Sequence, residues 1–350
     1  MTEDARWLST LEEQARARLP APVFEYVAQG AREGISAARA PDTWASVRFR
    51  PHVLRDVTDV DLSTELLGSP VEVPWGIAPT TLQRAIHADG ELAMARATAR
   101  AGGVLVVSSN AGTPFADIGA TGVRWWLQVY LPADRTLAVP LLDRAVAAGA
   151  SAVVLTVDTP VVGTKYSTGR VVWDVVDPGL LRVNFDEHHD QQPGADKALD
   201  LGPHDLDWLA AHTGLPVVVK GVLRSDDAVR CVQAGARGVW VSNHGGRQLD
   251  RTLDTATAVR DVLDAVAHQA QVYVDGGVRS GLDILAALSL GASAVFLGRL
   301  PLYALTDGES GVDRMHREVA VQVIEAMRLS GCRTLDDVAA LHAPPAPNSL

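Results

Sequence analysis

Residues 242–247 read SNHGGR, an imidazole between a polar pair and two glycines, with an arginine three places on. A histidine with such thin neighbours is open to a substrate and can take a proton near neutral pH, which makes His244 the candidate general base. Asp158, inside TVDTP at 156–160, can bond the second ring nitrogen, fix the tautomer and favour the charged form. Lys220 ends a run of three valines and is one of only three lysines, with Lys165 and Lys197. A lysine buried at such a point is costly unless it faces an anion. Asp275, Gly277 and Arg279 in DGGVR, followed by Gly298 and Arg299, have the composition of a phosphate site. Glycines there let backbone N–H groups approach the oxygens, and Arg279 or Arg299 adds a bidentate partner. A simple turn would also use Asp-Gly-Gly.

These residues are far apart in the chain, so the elements carrying them must converge. Eight short apolar, β-branched runs are expected as strands: 73–78, 104–108, 125–130, 152–157, 217–220, 238–242, 272–275 and 294–297. Amphipathic stretches such as 90–101, 137–148, 226–234, 255–267 and 281–290 lie between them, apolar at i, i+3 and i+4. Most end in Ala-Gly or Leu-Gly, as a helix C-cap requires. Eight such units predict a (β/α)8 barrel, whose strand ends gather polar side chains at one mouth. An open doubly wound sheet would carry Gly-x-Gly-x-x-Gly after its first strand, where this chain has APTTLQ. The expected strand ends present Thr80, Ser108, Gln128, Tyr130, Thr156, Asp158, Lys220, His244, Asp275 and Arg299, too many polar and titratable groups for folding alone.

A single domain is expected over 1–350, with helices in 1–50, a ribbon closing the barrel bottom over 51–72, and the barrel over 73–335. An oversized connection at 160–203, rich in Gly, Pro, Asp and His, is expected as a lid, and the 343–350 tail as disordered. His188 and His189, beside Glu187 and Asp190, read as solvated surface, and no metal site is expected. The net charge of −11 argues against nucleic acid or an anionic membrane as partner, leaving a small-molecule substrate. Two cysteines make no disulfide framework, and no apolar run approaches a membrane span. No leader is evident at the start, and a cytoplasmic protein is expected.

The chain resembles the FMN-dependent L-2-hydroxy-acid oxidising family. SNHGGRQLD at 242–250 is close to its active-site signature, and the likeness runs from FEY at 24–26 through IAPT, QVY, TVDTP, VKG, DGGVR and GR to LSGCR at 329–333. The resemblance implies FMN as cofactor, and a homo-oligomer, tetrameric or octameric. His244 would take the hydroxyl proton as the Cα hydrogen leaves for flavin N5, with Asp158 stabilising the imidazolium. Arg247 with Tyr26 would hold the carboxylate, and Tyr130 would bond the hydroxyl. Lys220 would stabilise reduced flavin at N1/O2. Thr80, Ser108, Gln128 and Thr156 would bond the isoalloxazine, and Asp275, Gly277, Arg279, Gly298 and Arg299 the ribityl phosphate.

Two departures bear on the substrate. The family's Arg-rich turn after TVDTP reads VVGTK here, leaving Lys165 where the last arginine is usual. Asn110 stands where several members have a bulky aromatic. A substrate bulkier than glycolate, such as an aryl or large alkyl hydroxy acid, is therefore expected. Alternatives are FMN-dependent oxidation of an amine or biosynthetic intermediate, an FMN-dependent isomerase, and a flavin-binding structural protein. The last leaves the base, acid and lysine unexplained.

Overall fold

The computed structural model describes residues 6–166 and 169–342, so the 343–350 tail lies outside the described residues. Before the barrel come helices α1 (Trp7–Arg18), α2 (Ala21–Ala28) and α3 (Ile35–Ala45), then a two-stranded hairpin of β1 (Thr64–Leu66) and β2 (Ser69–Val71). Eight parallel strands follow: β3 (Trp75–Ile77), β4 (Val104–Ser108), β5 (Arg124–Val129), β6 (Val153–Thr156), β7 (Val217–Val222), β8 (Gly238–Val241), β9 (Gln271–Val274) and β10 (Ala294–Leu297). β10 pairs with β3, and the sheet closes into the expected (β/α)8 barrel.

The strands are buried on both faces, which is why they read as continuous apolar runs. One set of alternate residues, including Leu105, Val107, Trp125, Leu127, Val219 and Val241, faces the helices. The other fills the barrel, where Trp126, Trp240, Tyr273 and Phe296 interlock, with the Trp240 and Phe296 ring centroids 4.1 Å apart. Leu66 and Val71 of the hairpin join this inner cluster. The hairpin is held there because Leu67 N donates to Gln271 Oε1 at 2.9 Å, at the start of β9. Packed aromatics and the hairpin thus fill the N-terminal end, and polar groups collect at the other.

Between β6 and the helix Pro203–Thr213 the described residues make three short 3-10 turns, Val172–Asp174, Pro178–Leu181 and His189–Gln191, and no long helix. Among the described residues no helix is long and apolar enough to cross a membrane.

Candidate active site

His244 follows β8 with φ at +58°, and Gly245 and Gly246 continue in the same left-handed region. This conformation is unfavourable for a β-carbon-bearing residue and is commonly stored where function needs it. Asn243 Oδ1 accepts from Gly246 N at 3.2 Å and holds the turn together. A side chain at Gly246 would place its Cβ 2.4 Å from Ala37 N, so α3 can dock on the turn only against glycine.

The turn aims His244 at Asp158. His244 Nδ1 lies 3.1 Å from Asp158 Oδ1, and Thr159 Oγ1 donates to that same oxygen at 3.1 Å. The carboxylate therefore fixes the proton on Nδ1 and leaves the Nε2 lone pair free, and no described residue bonds Nε2. Asp158 reaches this position because Gly221 sits at φ +110°, where a Cβ would fall 2.6 Å from the Asp158 Cβ. Burial alone would raise the Asp158 carboxyl, but the His244 ring, Lys220 and Thr159 hold it below its ordinary value. Burial depresses the His244 imidazole against the pull of Asp158, and Lys220 and Arg247 push the same way. The result is a neutral imidazole backed by an ionised carboxylate.

Lys220 lies at an irregularity in the β7–β8 pairing, between Lys220 and Val222. Its ammonium sits 3.1 Å from Asp275 Oδ2 and donates to Ser242 Oγ at 2.8 Å. Ser242 Oγ donates in turn to Asp275 Oδ1 at 2.6 Å and accepts from His244 N at 3.0 Å. One hydroxyl thus ties Lys220, Asp275 and the His244 backbone together.

Arg247 and Arg299 converge on the C-terminal end of α2, where free carbonyls and the helix dipole favour cations. Arg247 Nη1 donates to the carbonyls of Tyr26 at 2.7 Å and Gln29 at 2.9 Å, with the guanidinium 5.1 Å from the Tyr26 ring centroid. Arg299 donates to Val27 O, Gly245 O and Gln29 O at 3.0, 2.9 and 3.1 Å. Its fork is thus anchored to backbone. The Tyr26 hydroxyl lies 3.0 Å from Thr81 Oγ1.

The polar atoms left over fit a flavin phosphate. Gln128 Nε2 and Thr156 Oγ1 are buried without a partner, while Ser108 Oγ holds Gln128 Oε1 at 3.1 Å and so turns the amide nitrogen outward. Unpaired buried donors are expensive, and a heterocycle edged with nitrogen and oxygen would satisfy them. Thr80 accepts from Gln83 Nε2 at 3.1 Å beside them. Burial, then the charges of Arg247 and Arg279, lower the Arg299 guanidinium to about 10. Such mutual repulsion calls for an anion. Arg279, Arg299 and Tyr303 line a cavity of about 470 Å³ that also reaches Gly30 and Gly34. Gly277, at φ +85°, lies against Ala40, where a Cβ would come within 2.6 Å of backbone. Gly298 precedes the helix that Arg299 opens.

Tyr130, Asn110 and Lys197 line a second cavity, of about 90 Å³, with Arg182, Phe185 and His189. His189, expected as solvated surface, packs its ring at 4.7 Å against Phe185. Burial, with Asp158 nearby, raises the Tyr130 phenol. Lys165 Nζ donates to Gly163 O at 2.7 Å. Burial, then Arg247 and Lys197, lower its ammonium to about 8. Sequence reasoning assigned no role to Lys197, Thr159 or Gly221. Lys197 sits in an aperiodic segment and carries no local signal, whereas Thr159 and Gly221 adjoin residues that were singled out.

A family model described as FMN-dependent dehydrogenase matches residues 15–343. The chain is 39% identical over 346 residues to glycolate oxidase 3 of Arabidopsis thaliana, covering 95% of this chain and 94% of that one. It is 37% identical over 346 residues to L-lactate oxidase of Nostoc sp., covering 93% and 94%. A solved mandelate oxidase with (S)-4-hydroxymandelic acid superposes with a TM-score of 0.88 at 35% identity, covering 96% of this chain and 98% of that one. A matching barrel, an imidazole backed by a carboxylate and buried polar atoms without partners agree with these likenesses, and the chain belongs to the FMN-dependent dehydrogenase family, enzymes that oxidise 2-hydroxy acids with FMN.

Proposed function

We propose that this enzyme oxidises an L-2-hydroxy acid larger than glycolate to the 2-oxo acid, with His244 as the base. The observation that carries the reading is His244, backed through Nδ1 at 3.1 Å by Asp158, with Arg247 close enough to act on its ring and on Tyr130 and Lys165 as well. Arg247 has one nitrogen anchored on α2 and holds the substrate carboxylate with the rest of its fork. Tyr130, kept protonated by burial, donates to the hydroxyl or the developing carbonyl. His244 Nε2 takes the hydroxyl proton, and Asp158 stabilises the imidazolium. FMN supplies the acceptor for the hydride. Gln128 and Thr156 would hold its ring, Lys220 would supply positive charge toward it, and Arg279 and Arg299 would hold its phosphate.

Size selection follows from Asn110, a short side chain at the 90 Å³ cavity beside Tyr130. A mandelate oxidase of the same fold, solved with (S)-4-hydroxymandelic acid, supports an aryl or large alkyl substituent there. The 160–203 connection is read as the lid; in its described residues, Trp173 packs edge-on against Tyr26 at 6.0 Å and the Tyr166 hydroxyl accepts from Arg32 Nη1 at 3.2 Å, which supports that reading. The test is anaerobic flavin bleaching of the purified holoenzyme by glycolate, L-lactate, mandelate and longer L-2-hydroxy acids. Faster bleaching by the larger acids is expected. Bleaching by glycolate alone refutes the size reading, and bleaching by amines but no hydroxy acid refutes the whole.

A further inference from the structure

The substrate side carries more positive charge than a single carboxylate needs. Lys165 and Lys197, two of the chain's three lysines, both arise from the segment between β6 and the next long helix. Lys197 is held by a backbone bridge to Pro132, just beyond β5, and Lys165 by one to Arg32, just beyond α2. Both are thus fixed by the backbone of neighbouring elements. Lys197 Nζ stands 4.0 Å over the Tyr130 ring. Each lysine is half-buried, and neither has a carboxylate within 4 Å among the described residues. Lys165 is close enough to Lys197 and Arg247 that both depress its ammonium, and Lys197 feels Asp158.

The local charge can be counted from these neighbours. Lys220 is paired with Asp275, and Arg182 with Asp190; among the described groups that act on them, Arg247, Lys165 and Lys197 are set against one carboxylate, Asp158. A monocarboxylate neutralises one of the two charges in excess. Two ammonium groups brought together at partial burial without counter-charge are unfavourable unless an anion joins them. A purely structural lysine would point its head to water or to a carboxylate, but Lys197 lies over the ring of Tyr130, on the wall of the cavity beyond it.

We infer that the substrate is a 2-hydroxy acid with a second anionic group at the far end of its substituent, received by Lys197 and Lys165. This rests on the 2-hydroxy-acid reading above. Arg247 takes the carboxylate next to the reacting carbon, and the lysine pair selects what lies beyond it. Lys197 is then a specificity residue of this chain, set in the aperiodic segment rather than on a strand end.

The experiment compares kcat/KM for pairs that match in shape and differ in charge. L-2-hydroxyglutarate is set against L-2-hydroxy-5-methylhexanoate, and 4-carboxymandelate against 4-isopropylmandelate, so that aliphatic and aryl spacers are separated. The holoenzyme is expected to prefer the dianion of at least one pair by about tenfold or more, the scale of one charge-assisted hydrogen bond. Lys197→Gln should bring that ratio close to one, chiefly through KM, and Lys197→Arg should restore it. Raising the salt concentration should shrink it in the parent enzyme. Preference for the neutral member of both pairs overturns the inference while leaving the 2-hydroxy-acid reading intact. A dianion preference that survives Lys197→Gln and Lys165→Gln alike overturns the role of the lysines. If neither member of either pair, nor any other 2-hydroxy acid, bleaches the flavin, it is the underlying reading that fails.

Discussion

Replacing Asp158 by asparagine isolates the step on which the proposed chemistry turns. The carboxylate is 3.1 Å from His244 Nδ1, with side-chain exposures of 14% for Asp158 and 22% for His244. At an effective dielectric near 20, a full charge pair at that distance attracts by about 5 kcal/mol before the cost of desolvation. The net gain is that of a charge-assisted hydrogen bond formed as the imidazole charges, about 2–3 kcal/mol. At 1.36 kcal/mol per tenfold, Asp158→Asn should slow flavin reduction by roughly 30- to 150-fold. If the new amide donates to Nδ1 and forces the proton onto Nε2, the loss is larger.

The pH profile gives an independent check, and its sign is fixed by the neighbours. His244 acts when neutral, so kcat/KM falls as pH drops through its pKa, which burial places below the ordinary 6.5. Asp158 is the partner that raises that pKa, while burial, Lys220 and Arg247 all lower it. The asparagine variant must therefore carry its acid limb at lower pH than the parent. Anaerobic stopped-flow reduction across pH 5–8, with the best hydroxy acid found, measures both effects. An acid limb that stays put or moves upward, or a loss below about fivefold, would refute the assignment of Asp158 as the base's counter-charge.

Arg247→Ala should cost at least about 2–3 kcal/mol in kcat/KM, and Lys165→Ala roughly 1 kcal/mol or less, mainly through KM. Equal losses in steady-state kinetics would show the lysine replacing the family arginine outright. Because Lys165 titrates at about 8, KM for carboxylate substrates should rise between pH 7 and 9 as its charge is lost, and Lys165→Ala should abolish that rise. Lys220→Met leaves Asp275 buried without its partner and should destabilise the protein by about 3–5 kcal/mol in urea unfolding, with Asp275→Asn in the same chain recovering part of the loss. Gly246→Ala, at φ +73° and 2.4 Å from Ala37 N, should cost at least about 1–2 kcal/mol for the left-handed backbone alone. Near-parental stability there would mean that α3 is not seated on the turn.

The barrel was legible because each strand is buried on both faces and each helix on one, so period and composition change together along the chain. The strand-end residues were legible for the same reason. Lys220 stands out against three valines, and the left-handed turn at 244–246 announces itself through two glycines. Ser242 was visible only as a letter of the motif. Its function as the hydroxyl joining Lys220, Asp275 and the His244 backbone depends on β7, β8 and β9 lying side by side.

The arginines show where reading by residue type stops. Arg299 was expected as a phosphate ligand and Arg247 as a carboxylate ligand, and both are also fastened to carbonyls at the end of α2. The helix dipole there favours two neighbouring cations, which holds both forks in place before any ligand arrives. Anchoring of this kind lowers the entropy lost on binding, so α2 belongs to the site although only Tyr26 offers a side chain to it. Lys197 presents the opposite case. Nothing periodic marks its segment, and the proposal rests on what surrounds it: among the described residues no carboxylate lies within 4 Å of its ammonium, and Asp158 acts on it only from farther off. A charge deficit is a property of a volume, not of a stretch of sequence. The proposed substrate half shows itself only when Lys197 and Lys165, from the described residues after β6, are set beside Tyr130 and Arg247 and their charges are counted together.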